Sequence, residues 1–516
     1  MDRNTILAVV LSMAVIMGYY YLFPAPPAQP PAPVPASTSS QEPAKAAAPA
    51  TAPAAAAGAA VKAPVEEKEI RIETPLYSAV LSSRGGAATS WALKNYKDEK
   101  GNPVVLLKKA GPVPGFAAAA GPGFELSSAN FSVIGGDLAL DAKNPSGTVT
   151  FEHQSQGQSL RRTFTFYHDS YKVDLVDESA GIPEYWISVG ADFGIFSPDA
   201  SEHTGPVLLS GTNLEEIKAK KLAEPAVFTR DVKWIGQEDK YFCAAVVPAA
   251  AAEEARAWKT GDVPVIALKA KPGRNSFTLY AGPKQHDVLA RLGIGLEHIV
   301  NFGFFSIIAR PLFWILKFFY GFTGNYGWAI VLITIVTRIP FIPLINKSQE
   351  SMRKMQEIQP KMAEIREKYK KDPQRMQKEL TDLYKKNKVN PVGGCLPMLL
   401  QIPVFIALYK VLGVAIELRG APYMLWIVDL AAKDPYYILP VLMGVTMLAQ
   451  QKMTPTSMDP TQAKIMLLMP VIFTFMFLNF ASGLVLYWLV NNIFGIIQQF
   501  YLNRKNRRLA VQAAGS

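Results

Sequence analysis

Trp328 to Asn346 reads WAIVLITIVTRIPFIPLIN, a membrane-length apolar run whose one charge is Arg338. A cation in hydrocarbon costs roughly 2.5–3.5 kcal/mol even on lenient insertion scales. A chain that keeps one there needs a water-filled recess, a counter-charge or a cargo. Arg338 is nine residues from Lys347, about 13 Å along a helix. A snorkelling side chain that reaches the inner headgroups is therefore one account of it. A solvated recess is the other, favoured by Pro340 and Pro343, which free backbone carbonyls nearby.

Four more apolar segments follow: Cys395–Leu412, Tyr436–Gln451, Ile465–Phe480 and Leu484–Leu502. The intervening charges orient them. Residues 347–390 carry thirteen Lys and Arg against seven acids, and Arg504, Lys505, Arg507 and Arg508 follow the last segment. Residues 413–435 hold only Arg419 and Lys433 as basic groups. The positive-inside rule then places 347–390, the Lys452–Lys464 loop and the tail at 506–516 in the cytosol. At the other end, Ile6–Phe23 is an apolar stretch behind Arg3, followed by Pro24, Pro26 and Pro27 in place of a small-x-small cleavage site. An uncleaved signal anchor over 1–23 is expected, the alternative being a cleaved signal peptide. Six spans from an inside N-terminus agree with the loop charges.

Between anchor and core the chain changes character twice. Residues 24–68 are mostly Pro and Ala, a semi-extended spacer. Over 69–285 the pattern alternates and turns often. Arg162-Thr-Phe164-Thr-Phe166 and Tyr171-Lys-Val173-Asp-Leu175 read as half-buried strands, and Gly85-Gly86, Asn144-Pro145 and Pro272-Gly273 as turns. An antiparallel β sandwich outside the membrane is predicted. Residues 286–322 are amphipathic and aromatic-rich, with Pro311 expected to divide them. They read as a helix in the outer interface, leading into a core at 323–505.

The cytosolic insert at 347–390 reads as a helical hairpin. Met352, Met355, Ile358, Met362 and Ile365 recur at spacings of three and four, Pro360 should bend the first helix, and Asp372-Pro373 starts a second. The stripe has two readings. It is the hairpin's own core, or a flexible thioether surface for varied apolar partners, flanked by basic residues that suit anionic lipids or ribosomal RNA.

The spans themselves are unusual. Tyr436–Gln451 and Ile465–Phe480 hold 16 residues each, about 24 Å against a hydrocarbon core of about 30 Å. Thr334 lies one turn before Arg338, and Gln401, Asn491, Asn492, Gln498 and Gln499 fall within other spans. Such groups face protein or water in a bilayer. A hydrophilic groove opening to the cytosol, with Arg338 in its wall, accounts for both oddities.

What is missing narrows the class. The two cysteines, Cys243 and Cys395, exclude a disulfide framework, and the five histidines show no ligand spacing. Phosphate-loop, His-Glu-x-x-His and Gly-x-Ser-x-Gly motifs are absent. The spans contain no His, Asp or Glu, which removes intramembrane proteolysis and most carboxylate-based proton coupling. No cofactor, metal or DNA partner is expected, and no enzyme. Two rivals remain: an anion transporter using Arg338, which lacks an inverted repeat, and a scaffold whose outer domain binds partners.

Several stretches together carry a resemblance. Asn390-Pro-Val-Gly-Gly-Cys-Leu-Pro397, Glu417-Leu-Arg-Gly-Ala-Pro-Tyr423 with Trp426, Asp434-Pro-Tyr-Tyr-Ile-Leu-Pro440 and Ser482-Gly-Leu-Val-Leu-Tyr-Trp488 resemble the YidC membrane-insertase family. The resemblance implies a six-span polytopic helical protein with a five-helix insertase core. It also implies a periplasmic sandwich like that of sugar enzymes, and a groove closed toward the periplasm. Arg338 matches the groove arginine, with Thr334, Gln401, Tyr487, Trp488, Asn491 and Asn492 as expected lining. The hairpin corresponds to the part that first meets cargo. Nascent membrane proteins, the Sec translocon with its accessory subunits, and ribosome or signal-recognition targeting factors are the implied partners, and the bacterial inner membrane the implied location.

Overall fold

The computed structural model describes residues 67–514, apart from 99, 108–112, 156, 192–202, 388, 390–395 and 455–459. The anchor at 1–23 and nearly all of the 24–68 spacer lie outside the described residues.

Residues 69–283 form strands in three sheets. The central nine-stranded sheet pairs Gln158–Tyr167 with Lys172–Ala180, antiparallel. Two five-stranded sheets, whose strands are interleaved with its own along the chain, share its core. Among the described strands, pairing is antiparallel with one exception, Glu69–Glu73 beside Leu138–Ala139. Alternation works as the period of two demands: Phe164 and Phe166 are 1% exposed while Thr163 and Thr165 are half-buried. Gly85 holds a φ of +82°, and a Cβ there would meet the Ser127 carbonyl oxygen at 2.7 Å, so this turn needs glycine.

Arg162 shares the inner face with those phenylalanines and is fully buried. Its Nε donates to Asp177 Oδ1 at 3.0 Å, its Nη2 to Asp177 Oδ2 at 3.1 Å and its Nη1 to the Gly86 carbonyl at 2.9 Å. The Tyr185 hydroxyl donates to the same carboxylate. Gly86 lies beside the first sheet, Arg162 and Asp177 face each other in the central one, and Tyr185 belongs to the third. One ion pair therefore links three layers.

A second buried pair sits where this domain meets the helices. Lys284 Nζ donates to Glu238 Oε2 at 2.6 Å and to the Asp239 carbonyl at 3.0 Å. Burial pushes the Glu238 carboxyl up to about 7 from its usual 4.5, against the pull of Lys284. The folded protein then holds a proton that the unfolded chain releases between those values. Glu238's contribution to stability is present below about 4.5 and is lost as pH rises through about 7. Urea unfolding across that interval should show the wild type losing stability relative to Glu238→Gln. A pH-independent difference would contradict the assignment.

The helices follow. Of the first three, α1 is His286–Arg291, α2 Ser306–Thr323 and α3 Tyr326–Arg338. The hairpin is α4, Ile342–Glu357, α5, Gln359–Lys368, and α6, Pro373–Lys386. Last come α7, Leu396–Val414, α8, Ile438–Met453, α9, Pro460–Phe477, and α10, Ser482–Ala514. Pro311 does not divide α2: it lies inside a continuous helix. It sits in the second turn, so only one carbonyl bond is forgone. The α2 face bearing Ile307, Trp314 and Phe318 is exposed, and Ala309, Leu312 and Leu316 pack inward. Arg419, after α7, reaches the β layers: Nη2 donates to the Lys97 carbonyl at 2.6 Å, and the guanidinium lies over Tyr241 and Phe242.

Pro340 and Pro343 act where expected. α3 ends at Arg338, a 3-10 turn spans Ile339–Phe341, and α4 resumes at Ile342, because neither proline can donate to the carbonyl four residues back. Pro360 opens α5 after a break at Ile358. Asp372 caps α6, accepting from the Arg375 N–H at 3.0 Å. α8 has 16 residues, about 24 Å; α9 begins earlier than the apolar run and has 18, about 27 Å. Gly444 brings α8 close to α9, since a Cβ there would collide with Thr474 Oγ1.

Candidate functional site

α3 and α10 both run from the end nearest the β layers, so their polar positions meet level by level. Arg338 closes α3. Its Nη1 donates to the Asn491 carbonyl at 2.8 Å and to Asn491 Oδ1 at 2.5 Å. Gln401 of α7 donates to the same Oδ1 at 3.3 Å. Tyr487, one turn earlier on α10 and 3% exposed, lies against Gln401 and beside the guanidinium. About two turns beyond Asn491, Gln498 Nε2 donates to Asn346 Oδ1 at 2.9 Å. Arg338, Gln401, Tyr487 and Asn491 thus form one cluster drawn from three helices. Among the described residues no carboxylate pairs with Arg338.

The other expected lining residues are elsewhere. Thr334 is 1% exposed and its Oγ1 donates to the Ile330 carbonyl at 2.6 Å. It is a packed, back-bonded threonine, not a groove wall, a correction to the same-face argument. Asn492 turns away from Arg338, donating to the Met443 carbonyl and Thr446 Oγ1 of α8, each at 3.3 Å. Successive helix positions differ by about 100°, so adjacent asparagines serve different neighbours. Trp488 packs edge-on against Phe405 at 4.8 Å and near Phe473 and Phe477. It belongs to an aromatic cluster beside the polar one.

The hollow next to Arg338 is less polar than the groove expected. It measures about 290 Å³ between the α3–α4 junction and α10. Ile335, Ile339 and Ile342 form one wall, Phe494 and Ile497 the other. Arg338, Gln498 and Tyr501 border it as well, almost wholly through their apolar atoms. The stripe 494, 497, 501 has helical spacing and was legible in the sequence as one face of α10; what it faces was not.

In the hairpin, Met355, Ile358 and Met362 are 5–7% exposed and pack with Leu380 and Val389, flanked by Ile365, Met376 and Leu383. Met352 is half-buried. Three of the five stripe residues are therefore the hairpin's own core, the plainer of the two readings. Basic side chains occupy its exposed faces. Among the described residues no His, Cys, Asp and Glu group could hold a metal ion.

Two family profiles match: the 60Kd inner membrane protein over residues 318–509 and the YidC periplasmic domain over 69–315. Among relatives, the membrane protein insertase YidC of Geobacter metallireducens is 42% identical over 98% of each chain. That of Syntrophus aciditrophicus is 43% identical, over 85% of this chain and 86% of its own. A crystal structure of an active YidC insertase aligns with 85% of this chain and 93% of its own, at 19% identity and a TM-score of 0.40.

Proposed function

Since the chain belongs to the YidC membrane protein insertase family, we propose that it inserts and helps fold integral proteins of the bacterial inner membrane, using the Arg338 cluster. The observation that carries this is a guanidinium held at a fixed place by Asn491 with no carboxylate partner among the described residues. It adjoins a hollow that opens sideways between two apolar helices. No bond chemistry is needed. An apolar cargo segment slides along the exposed faces of α7 and α9 while its short polar or acidic tail is attracted to Arg338 and the Gln401 and Asn491 amides. Attraction in a low-dielectric recess exceeds that in water, though desolvation limits the gain. Partition into lipid, at about 25 cal/mol per Å² of apolar surface, drives release, and the short α8 thins the bilayer beside the route.

The topology proposed with it has six spans: the anchor, the α3–α4 junction, α7, α8, α9 and α10. The β domain is periplasmic; both termini and the hairpin are cytosolic. Alone or with the Sec translocon, the protein receives cargo from ribosomes or targeting factors. The hairpin's basic faces and Met352 meet ribosomal RNA, anionic headgroups or cargo first. Met355, Ile358, Met362 and Ile365 become available only when α5 and α6 part.

Arg338→Ala in purified protein reconstituted into liposomes should reduce insertion of acidic-tailed cargo about tenfold, the effect of 1.4 kcal/mol, and of neutral-tailed cargo far less. Equal, undiminished insertion of both cargoes would refute the role of Arg338. Photocrosslinkers at positions 338 and 401 should capture a stalled nascent chain, and one at buried position 334 should not.

A further inference from the structure

The hollow beside Arg338 has a size and lining that fit neither water nor a peptide. Its volume of about 290 Å³ accommodates roughly ten groups of about 30 Å³ each, the share of one water in the liquid. A cargo helix, about 10–12 Å across with its side chains, does not fit between these walls. An extended peptide would bring an N–H and a C=O per residue into a slot that presents almost no polar atom to them. The Gln498 amide is already donating to Asn346. Backbone groups left unpaired in such a place are costly. A hydrocarbon chain brings none.

Access and charge point the same way. Ile339, Ile342, Ile497 and Tyr501 are 41–67% exposed, so the slot is open along its side, where a bilayer would lie. The contacts of Arg338 among the described residues both come from Nη1. That leaves Nε and Nη2 for an oxyanion, and a guanidinium matches a phosphate in planar two-point geometry.

We propose that, before cargo arrives, an anionic phospholipid of the inner leaflet occupies this place, with one acyl chain between Ile342 and Ile497 and its phosphate on Arg338. The lipid fills a hollow that would otherwise be a void and supplies a counter-charge that the described residues do not give Arg338. Drawing that headgroup inward thins the leaflet locally, and arriving cargo displaces the lipid with its own acidic tail. The inference rests on Arg338 bordering the insertion route, but lipid occupancy is read without cargo.

The test uses the full-length protein in phosphatidylcholine vesicles containing a small fraction of either phosphatidylglycerol or phosphatidylcholine with a photoactivatable acyl chain. Labelling at Ile342, Phe494 and Ile497 is normalised to labelling of the exposed α9 residues Phe475 and Met476. The phosphatidylglycerol probe should label the hollow about tenfold more than the phosphatidylcholine probe, whose own choline ammonium neutralises its phosphate so that it brings Arg338 no net counter-charge. Arg338→Lys should keep the preference, Arg338→Gln should abolish it, and Ile342→Trp should block both probes at the hollow while leaving α9 labelling unchanged. Equal labelling by the two probes, or a preference that survives Arg338→Gln, overturns the proposal. If cargo insertion still depends on Arg338 in the same preparations, the insertase reading stands without it.

Discussion

Asp177→Ala is expected to destabilise the β-rich domain severely and to leave insertion by the helical core largely intact. The carboxylate accepts from Arg162 Nε and Nη2 and from the Tyr185 hydroxyl, and all three residues are fully buried. Removing it leaves a guanidinium in the interior with the Gly86 carbonyl and the neutral Tyr185 hydroxyl and no counter-charge among the described residues. Breaking a buried pair from one side costs about 3–5 kcal/mol, a large share of the 5–15 kcal/mol typical of a domain. Urea unfolding followed through the near-ultraviolet signal of Trp91, Trp186 and Trp234, buried in these sheets, measures it. Asp177→Asn should lose less, because an amide oxygen still accepts. An Arg162→Met, Asp177→Leu pair should recover much of the loss, since a packed apolar pair replaces a buried ionic one at little net cost. The insertion assay then discriminates between rivals. Activity retained by the variant in urea that has melted its β domain places function in the helices; activity lost with the domain favours a scaffold.

The opposite outcome is expected for Asp434→Ala, which should abolish insertion while sparing the β domain. Asp434 is 1% exposed. Its Oδ1 accepts from the Trp426 indole at 3.1 Å and the Tyr436 N–H at 3.0 Å, and its Oδ2 from the Leu439 N–H at 2.7 Å. These bonds order the 415–437 connection, satisfy the first turn of α8 and hold Tyr437 at a φ of +57°. Left-handed backbone at a non-glycine residue persists only when its surroundings enforce it. Three orphaned donors, at roughly 1–3 kcal/mol each, amount to a loss of about 3 kcal/mol or more. Asp434→Asn keeps the Oδ1 role and turns an amide donor toward Leu439, so it should fall between wild type and alanine. Thermal melts monitored separately for the β domain and for helix content check this; an Asp434→Ala protein with wild-type insertion would refute it.

The two variants show how unevenly the sequence disclosed its structure. Asp434 stood within a quoted motif, yet nothing local marked it as the acceptor for a tryptophan eight residues away. Arg162 read as the first residue of an alternating strand. Alternation put it on the inner face, and composition argued that an arginine should not be there; only the Asp177 opposite it on the next strand resolves the conflict. Lys410, inside α7, drew no notice beside Arg338, although a charge in an apolar run is the same signal.

The membrane-length runs, their basic connections, the strand alternation and the proline breaks all depend on residues within a few positions of one another. A periodicity of 2.0 or 3.6 and a missing N–H act locally, so these features were determined by the sequence alone. Partnership was not. Asn491 and Asn492 are adjacent and chemically identical, yet one holds Arg338 and the other binds α8, because a single residue step turns the helix by about 100°. The hairpin methionines form an apolar stripe under either reading, and only the burial of Met355 and Met362 in one cluster with Leu380 and Val389 decides that the stripe faces inward. The polarity of the space beside Arg338 likewise belongs to the pairing of the α3–α4 junction with α10, which brings an isoleucine-rich wall and a largely aromatic one together beside one charge.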